Sequence, residues 1–331
     1  MNTKRLFAFI ITPMVLFGCA KTDTKRPSLY QGPNLCKEWL EPGNPNEQVD
    51  NYAPGAEEQI FPANLSNRGL TNDELFELIV THPLRPLPAK LWLAGNDFTD
   101  AAIEKLSSLP FSRVGTIRAQ SNSLTGASLS FFPNFPGLKE LDVSSNPLFN
   151  VTVEQPKGGP LKQLSKLSLS QTGLSSSNLH ILNRDWIPKV RDLDLSKNLL
   201  GLEGLRALTR TDILADLSSI NLTSTGINTQ SAIEFFSEDW STNCGLILNL
   251  NGNPIGDAGI KALAKSRLST QISVLGLVKT EITLNSVLIL SREDSFPLLK
   301  RITLSQDAFN ESERESLTHK AKVKGLKIKW R

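Results

Sequence analysis

A chain of 331 residues with a formal charge of +3, 39% hydrophobic and 21% charged, is ordinary for a globular protein and excludes a disordered polyelectrolyte. Loss of residues 1–18 would remove Lys4 and Arg5 and no acid, leaving +1, so no global electrostatic bias toward nucleic acid exists. Length alone suggests two domains, but a repeat that fills most of the chain overrides that expectation.

The chain opens Met-Asn-Thr-Lys4-Arg5, runs through an apolar stretch from Leu6 to Phe17 and reaches Gly18-Cys19. A basic start and a short apolar core make the pattern of a secretory signal. The apolar run, interrupted by Pro13, falls well short of what a bilayer-spanning helix needs. Leu16-Phe17-Gly18-Cys19 resembles the lipobox of bacterial lipoproteins, although Phe17 is bulkier than the residue usual there. The resemblance implies that residues 1–18 are a signal peptide and that Cys19, the first mature residue, is acylated. Ala20 follows the cysteine in place of the aspartate that retains such proteins at the inner membrane, which points to the outer membrane of the cell envelope. A plain signal peptide with a chance cysteine is the alternative.

Residues 19–58 carry Pro27, Pro33, Pro42, Pro45 and Pro54 with Gly32, Gly43 and Gly55, and show little periodicity. They read as a flexible tether with an r.m.s. reach of roughly 30–40 Å. Cys36-Lys-Glu-Trp39-Leu40 is the exception and suits an N-terminal cap, which a stacked repeat requires.

From residue 59 to 331 about ten units of the form L-x-x-L-x-L-x-x-N-x-L follow one another. Leu138-Lys-Glu-Leu141-Asp-Val143-Ser-Ser-Asn146-Pro-Leu148 returns as Val190-Arg-Asp-Leu193-Asp-Leu195-Ser-Lys-Asn198-Leu-Leu200. The ninth position holds Asn96, Asn122, Asn146, Thr172, Asn198, Thr225, Asn253, Thr280 and Asp307, at nearly even steps. A degraded copy, Leu65-Ser-Asn-Arg68-Gly-Leu70, precedes them, and Val323-Lys-Gly-Leu326-Lys-Ile328 closes the chain as a half-unit. The middle of each unit alternates apolar and polar, as in Leu248-Asn-Leu250, which predicts a short half-buried strand. Thr99–Leu106, Ser231–Phe236 and Ala258–Ala264 then switch to helical spacing. Between Asn122 and Thr172, Pro133, Pro136, Pro156 and Pro160 with Gly158-Gly159 break the return segments into irregular coil. Neither half of a unit buries its apolar side alone, so copies must stack.

This pattern resembles the leucine-rich-repeat family, and Asn253-Pro-Ile-Gly-Asp-Ala-Gly-Ile260 resembles its ribonuclease-inhibitor-like subclass. The resemblance implies an α/β solenoid: a right-handed superhelix with a parallel sheet on the concave face and helices or irregular coil outside. The ninth-position asparagines are structural in this reading, their amides answering backbone groups that the turn leaves unpaired.

Between the two central apolar residues one position per unit points into the concavity. It holds Trp92, Arg118, Asp142, Ser168, Asp194, Asn221, Asn249, Gly276, Thr303 and Lys327. Concave solenoid faces are the usual contact surfaces, so Trp92, Arg118, Asp142, Asp194, Asn221 and Asn249 are the candidate binding residues. Trp92 has a second reading, as packing beneath the segment that precedes it.

Chemistry is harder to find. His82, His180 and His319 fall in three different units, whereas a nucleophile and its base must stand within about 3 Å. Glu140 and Asp142 lie two units from Asp192 and Asp194 with Lys166 between, roughly 10 Å away, too far to share a metal and wide for a glycosidase pair. No metal or cofactor motif is present. Cys244 reads as a buried free thiol; a bridge to Cys36 would require the N-terminal segment to reach the eighth unit. Lys320, Lys322, Lys324, Lys327, Lys329 and Arg331 read as protection of an open sheet edge, with anionic headgroups or polysaccharide as the rival ligand.

The sequence therefore reads as a monomeric, non-enzymatic lipoprotein, anchored to the membrane through Cys19, with a protein partner on the concave face and no nucleic acid. An inhibitor or regulator of an envelope enzyme is the alternative, and a hydrolase with an unrecognised site the more distant one.

Overall fold

The computed structural model describes residues 64–81, 88–151, 153–292 and 294–331. Ten short strands form one parallel sheet in chain order: β1 (Lys90–Trp92), β2 (Thr116–Arg118), β3 (Glu140–Asp142), β4 (Lys166–Ser168), β5 (Asp192–Asp194), β6 (Ser219–Asn221), β7 (Leu246–Asn249), β8 (Ile272–Leu277), β9 (Arg301–Leu304) and β10 (Lys327–Trp330). Register carries one apolar column across the sheet, Leu91, Ile117, Leu141, Leu167, Leu193, Ile220, Leu248, Leu275 and Ile302, all buried. Its last member, Ile328, is only partly buried, because no described coil lies beyond it. Each leucine gains roughly 1.5–3 kcal/mol from this burial, and the surface that buries it belongs to the adjacent coil.

Helices α1 (Asn72–Thr81), α2 (Asp100–Ser107), α3 (Gly201–Thr209), α4 (Thr229–Ser237), α5 (Gly256–Lys265), α6 (Leu284–Leu290) and α7 (Glu311–Val323) form the outer layer. The expected helices over 99–106, 231–236 and 258–264 are α2, α4 and α5. Between Asn122 and Thr172 the helical turns of the outer layer, among the described residues, are 3-10 turns at Gly126–Ser130 and Phe132–Asn134, as the prolines dictate.

What clasps one coil to the next is the ninth-position asparagine. Asn198, almost fully buried, accepts at Oδ1 from the backbone N–H of Thr172 and Leu174 in the preceding coil, each at 3.0 Å. Its Nδ2 donates to Leu169 O of that coil and to Leu195 O of its own. Asn96, Asn146 and Asn253 repeat the pattern. The two converging N–H groups flank Gly69, Gly173 and Gly226 in three of these four clasps, and those glycines have φ of +63°, +76° and +75°. A left-handed residue turns its neighbours' N–H groups onto one acceptor, and glycine does so without strain.

From Asn146 to Thr280 asparagine and threonine alternate at the ninth position. The threonines do a smaller job: the hydroxyls of Thr172, Thr225 and Thr280 each donate to the carbonyl three residues back in their own coil. Their backbone carbonyls take the inter-coil bond instead, from Phe149, Leu200 and Gly256 N–H respectively. Asp307 holds the ninth position without doing this work. It is exposed, and the buried Ser305, next after Leu304, accepts from Lys279 N–H in its place.

The final unit also departs from the sequence reading. Leu326 closes α7, its N–H donating to Ala321 O after Gly325 turns at φ +76°, so the strand starts one residue later. Lys329, not Lys327, pairs with Thr303, and Lys327 pairs with Arg301. A slip of two residues keeps both lysines on the concave side.

The asymmetry between clasps predicts unequal costs. Asn198→Ala leaves two buried inter-coil N–H groups unanswered and should lower unfolding free energy by about 3 kcal/mol or more. Thr225→Val, which removes one own-coil bond, should cost about 1 kcal/mol. Urea denaturation of the two variants side by side checks the order.

Candidate functional site

Two columns of side chains face the concavity, because residues on either side of a buried strand position share a face. One runs Lys90, Thr116, Glu140, Lys166, Asp192, Ser219, Ile247, Val274, Arg301, Lys327; the other runs Trp92, Arg118, Asp142, Ser168, Asp194, Asn221, Asn249, Gly276, Thr303, Lys329. Strands β2 to β7 line a trough of about 540 Å³ whose walls include Arg118, Asp142, Asp194, Asn221 and Asn249. Five of the six residues singled out in the sequence thus meet in one depression, and Trp92 stands beside it on β1. The first column is the part that reading left largely unused, although the same two-residue alternation marks it.

The polar members of the second column are held still by their own backbone. Asp142 Oδ1 accepts from Ser144 N–H at 3.0 Å, Asp194 Oδ1 from Ser196 N–H at 2.8 Å, Asn221 Oδ1 from Thr223 N–H at 3.1 Å and Asn249 Oδ1 from Asn251 N–H at 3.3 Å. In each coil the residue after that N–H is left-handed: Ser145, Lys197, Ser224 and Gly252. The side chain therefore caps the turn that starts the outward path, and this local duty accounts for Asp or Asn at the position. One oxygen of each aspartate remains, and Asp194 turns its own to the Asn221 amide at 3.0 Å. Asn249 lies over Gly276, where a Cβ would collide with Asn249 Oδ1.

Charge along the face is graded. Lys90 and Arg118 mark one end, Glu140, Asp142, Asp192 and Asp194 the middle around Lys166, then come Ser219, Asn221, Ile247, Asn249, Val274 and Gly276, and Arg301, Lys327 and Lys329 close the other end. Ile247 is 45% exposed and pairs in register with Val274, an apolar patch on a mostly polar face. Asp192 lies open at its tip yet is crowded by the trough; desolvation pushes its carboxyl above the usual range, Lys166 pulls it back and Glu140 pushes it further up.

Trp92 has partners on both sides. It pairs with Asn64 in a parallel bridge, and Arg118 sits over its ring, 4.7 Å from guanidinium carbon to centroid. Lys324 is not one of the free cations of the C-terminus, since its Nζ donates to Leu290, Arg292 and Phe296 O. Cys244 corrects the free-thiol reading: it is half-buried and disulfide-bonded. Cys19, Cys36 and His82 lie outside the described residues, as do the signal peptide and tether. His180 and His319 are exposed on the outer layer, and His180 Nδ1 contacts Ser177 O. Among the described residues no group of three or more His, Cys, Asp or Glu could hold a metal.

One strand per coil, a buried leucine column and a ninth-position amide clasp define a leucine-rich-repeat protein, an α/β solenoid. The family model described as Leucine Rich repeat matches residues 187–208 and 246–264. The ribonuclease inhibitor of Sus scrofa is 26% identical over 251 residues, covering 68% of this chain and 53% of that protein, so the chain spans about half of that relative's length. Among solved structures, an internalin of Listeria monocytogenes str. 4b F2365 aligns at 13% identity with a TM-score of 0.32, over 72% of this chain and 79% of its own.

The crowding at Asp192 has a pH signature. A carboxyl whose folded pKa is raised destabilises the fold above that pKa; the penalty shrinks as pH falls through it and is gone below the unfolded value. Asp192→Asn should therefore raise the melting temperature slightly near pH 7, with the gain vanishing in acid. A melting series from pH 7 to pH 3 reads this, and a gain independent of pH would assign it to something other than ionisation.

Proposed function

We propose that this protein is a non-enzymatic capture module that binds a polypeptide along the concave sheet and is displayed from a bacterial membrane by a lipid on Cys19. The observation that carries the reading is the graded concave face: aspartates and asparagines pre-set by their own turns, four acids held together around one lysine, a small and partly apolar patch on β7 and β8, and bases on β9 and β10. Charges fixed in advance lose little freedom on binding, and alternating sign selects register and partner more than it adds affinity. The complementary segment is basic opposite β3 to β5, small or apolar opposite β7 and β8, and acidic opposite β9 and β10. At about 4.8 Å per strand these zones fall within the reach of one extended peptide.

The anchor rests on the lipobox-like Leu16-Phe17-Gly18-Cys19 and the proline-rich stretch behind it. Acyl chains on one cysteine hold a protein stably only when more than one is present, which fits acylation of both thiol and new amino terminus. The outer membrane is the address that Ala20 suggests. A second reading, an inhibitor of an envelope enzyme, is favoured by the likeness to a protein named for inhibiting ribonuclease; it uses the same face and differs in what is caught.

A photo-crosslinking residue placed at Ser168 or Ser219 in intact cells should trap a discrete partner, and one placed on the outer face of α4 should not. Asp142→Lys with Asp194→Lys should abolish the adduct while the far-UV CD spectrum is retained. Trapping that survives the double reversal refutes concave-face capture, and a single trapped enzyme whose activity falls on binding selects the inhibitor reading. For the anchor, the mature N-terminus should carry the mass of acyl chains, lost in Cys19→Ser; an unmodified Cys19 overturns it.

A further inference from the structure

Four arginines among the described residues are half-buried: Arg118, Arg206, Arg267 and Arg314. Three of them spend their donors within the protein. Arg206 reaches Glu203 and Glu234, Arg267 reaches Asp239, and Arg314 donates to Gln306 and Phe309 O. Arg118 differs. Its guanidinium stacks on Trp92, no carboxylate of the described residues stands within ion-pair distance of it, and no acceptor among those residues is matched to its donors. Asp142 is its register neighbour on β3, yet Asp142 is turned along its own strand to Ser144 N–H.

We propose that Arg118, clamped on Trp92, is the seat for a single carboxylate of the bound polypeptide, either an acidic side chain or a free C-terminus. The proposal deepens the concave-face reading and rests on it. A guanidinium held over an indole ring is restrained, and its fork matches the planar carboxylate through two parallel N–H···O bonds. The ring is attracted to the cation's charge and offers no carboxylate-like acceptor for its N–H donors. Lys90, two residues before Trp92 on the same strand, adds a second positive charge. The next strand decides between anions. Glu140 and Asp142 stand about 4.8 Å further across the sheet, and their field opposes a phosphate dianion more than a monoanion. The subsite thus takes one negative charge where the neighbouring trough takes positive ones, which fixes the direction in which a partner lies.

The test needs no partner. In the full-length chain carrying Cys19→Ser, the Trp92 indole N–H and Arg118 Nε–H resonances are followed while sodium acetate, sodium chloride and inorganic phosphate are added at matched ionic strength. Acetate should give saturable shifts at both, chloride only small linear ones, and phosphate weaker saturation than acetate. Arg118→Gln should abolish the Trp92 response. Trp92→Leu should weaken acetate about two- to fivefold, the range an exposed cation–π contact supports, and Trp92→Phe should recover most of it. N-acetylglycine and N-acetylaspartic acid α-amide then represent the two sources, and saturation by either supports the site while the tighter one names the source. Non-saturating shifts, chloride equal to acetate, or phosphate tighter than acetate overturns the proposal, as does Trp92→Leu binding unchanged. Should either variant fail to fold, the three-anion comparison on the native residues still decides. Failure here with crosslinking from Ser168 intact removes this subsite alone, whereas loss of both removes the concave-face reading.

Discussion

A side-chain amide that serves two coils at once is the interaction on which this molecule depends. Leucines supply the free energy of stacking, but burial alone would still accept a coil shifted by two residues against its neighbour. The buried asparagine is not indifferent. Oδ1 of Asn198 takes two N–H groups that the turn of the previous coil cannot use, and Nδ2 takes a carbonyl from each coil. Leaving any of them unmatched inside the stack costs more than the bond returns when made. The ladder thus fixes the strand of each asparagine coil beside the last, and at the threonine coils a backbone carbonyl makes the inter-coil bond.

Once the strands are locked, the concave face has little freedom left in its backbone, and its chemistry reduces to the side chains at two positions per strand. Even those are partly committed. The aspartates and asparagines of the second column answer turn N–H groups first and face outward with what remains. Capping a turn does not stop these side chains from facing the concavity. The turn bond orients a carboxylate that a flexible lysine or glutamate on a bare strand would not hold in place. Asp192, in the first column, has its carboxyl pKa raised by desolvation, and Glu140 pushes it further up.

Much of this was legible before any coordinates. A nearly constant repeat period, the leucine alternation and the helical spacing after the ninth position dictate the solenoid, its strands and three of its helices. Trp92, Arg118, Asp142, Asp194, Asn221 and Asn249 fall on one face because side chains alternate strictly along a strand. What escaped depends on neighbours in space. Nothing in Lys324 distinguishes it from Lys322, yet Lys324 reaches three backbone carbonyls. Leu326 fits the strand pattern equally well but serves the end of a helix, which moves the last register by two. The stacking of Arg118 on Trp92 required knowing that β1 and β2 are adjacent and level, and the oxidised state of Cys244 depends on what folding brings beside it.

The clasp also has a direction. Every ninth-position asparagine reaches back to the coil before it and none reaches forward, so the amide lock on a coil is always supplied by the one that follows. During synthesis, at about 5–20 residues per second, a coil secured in this way waits roughly one to five seconds for its lock to emerge from the ribosome. Coils followed by threonine receive no amide, so the growing end passes through latched and unlatched turns in alternation, a moving vulnerable zone for chaperones to shield.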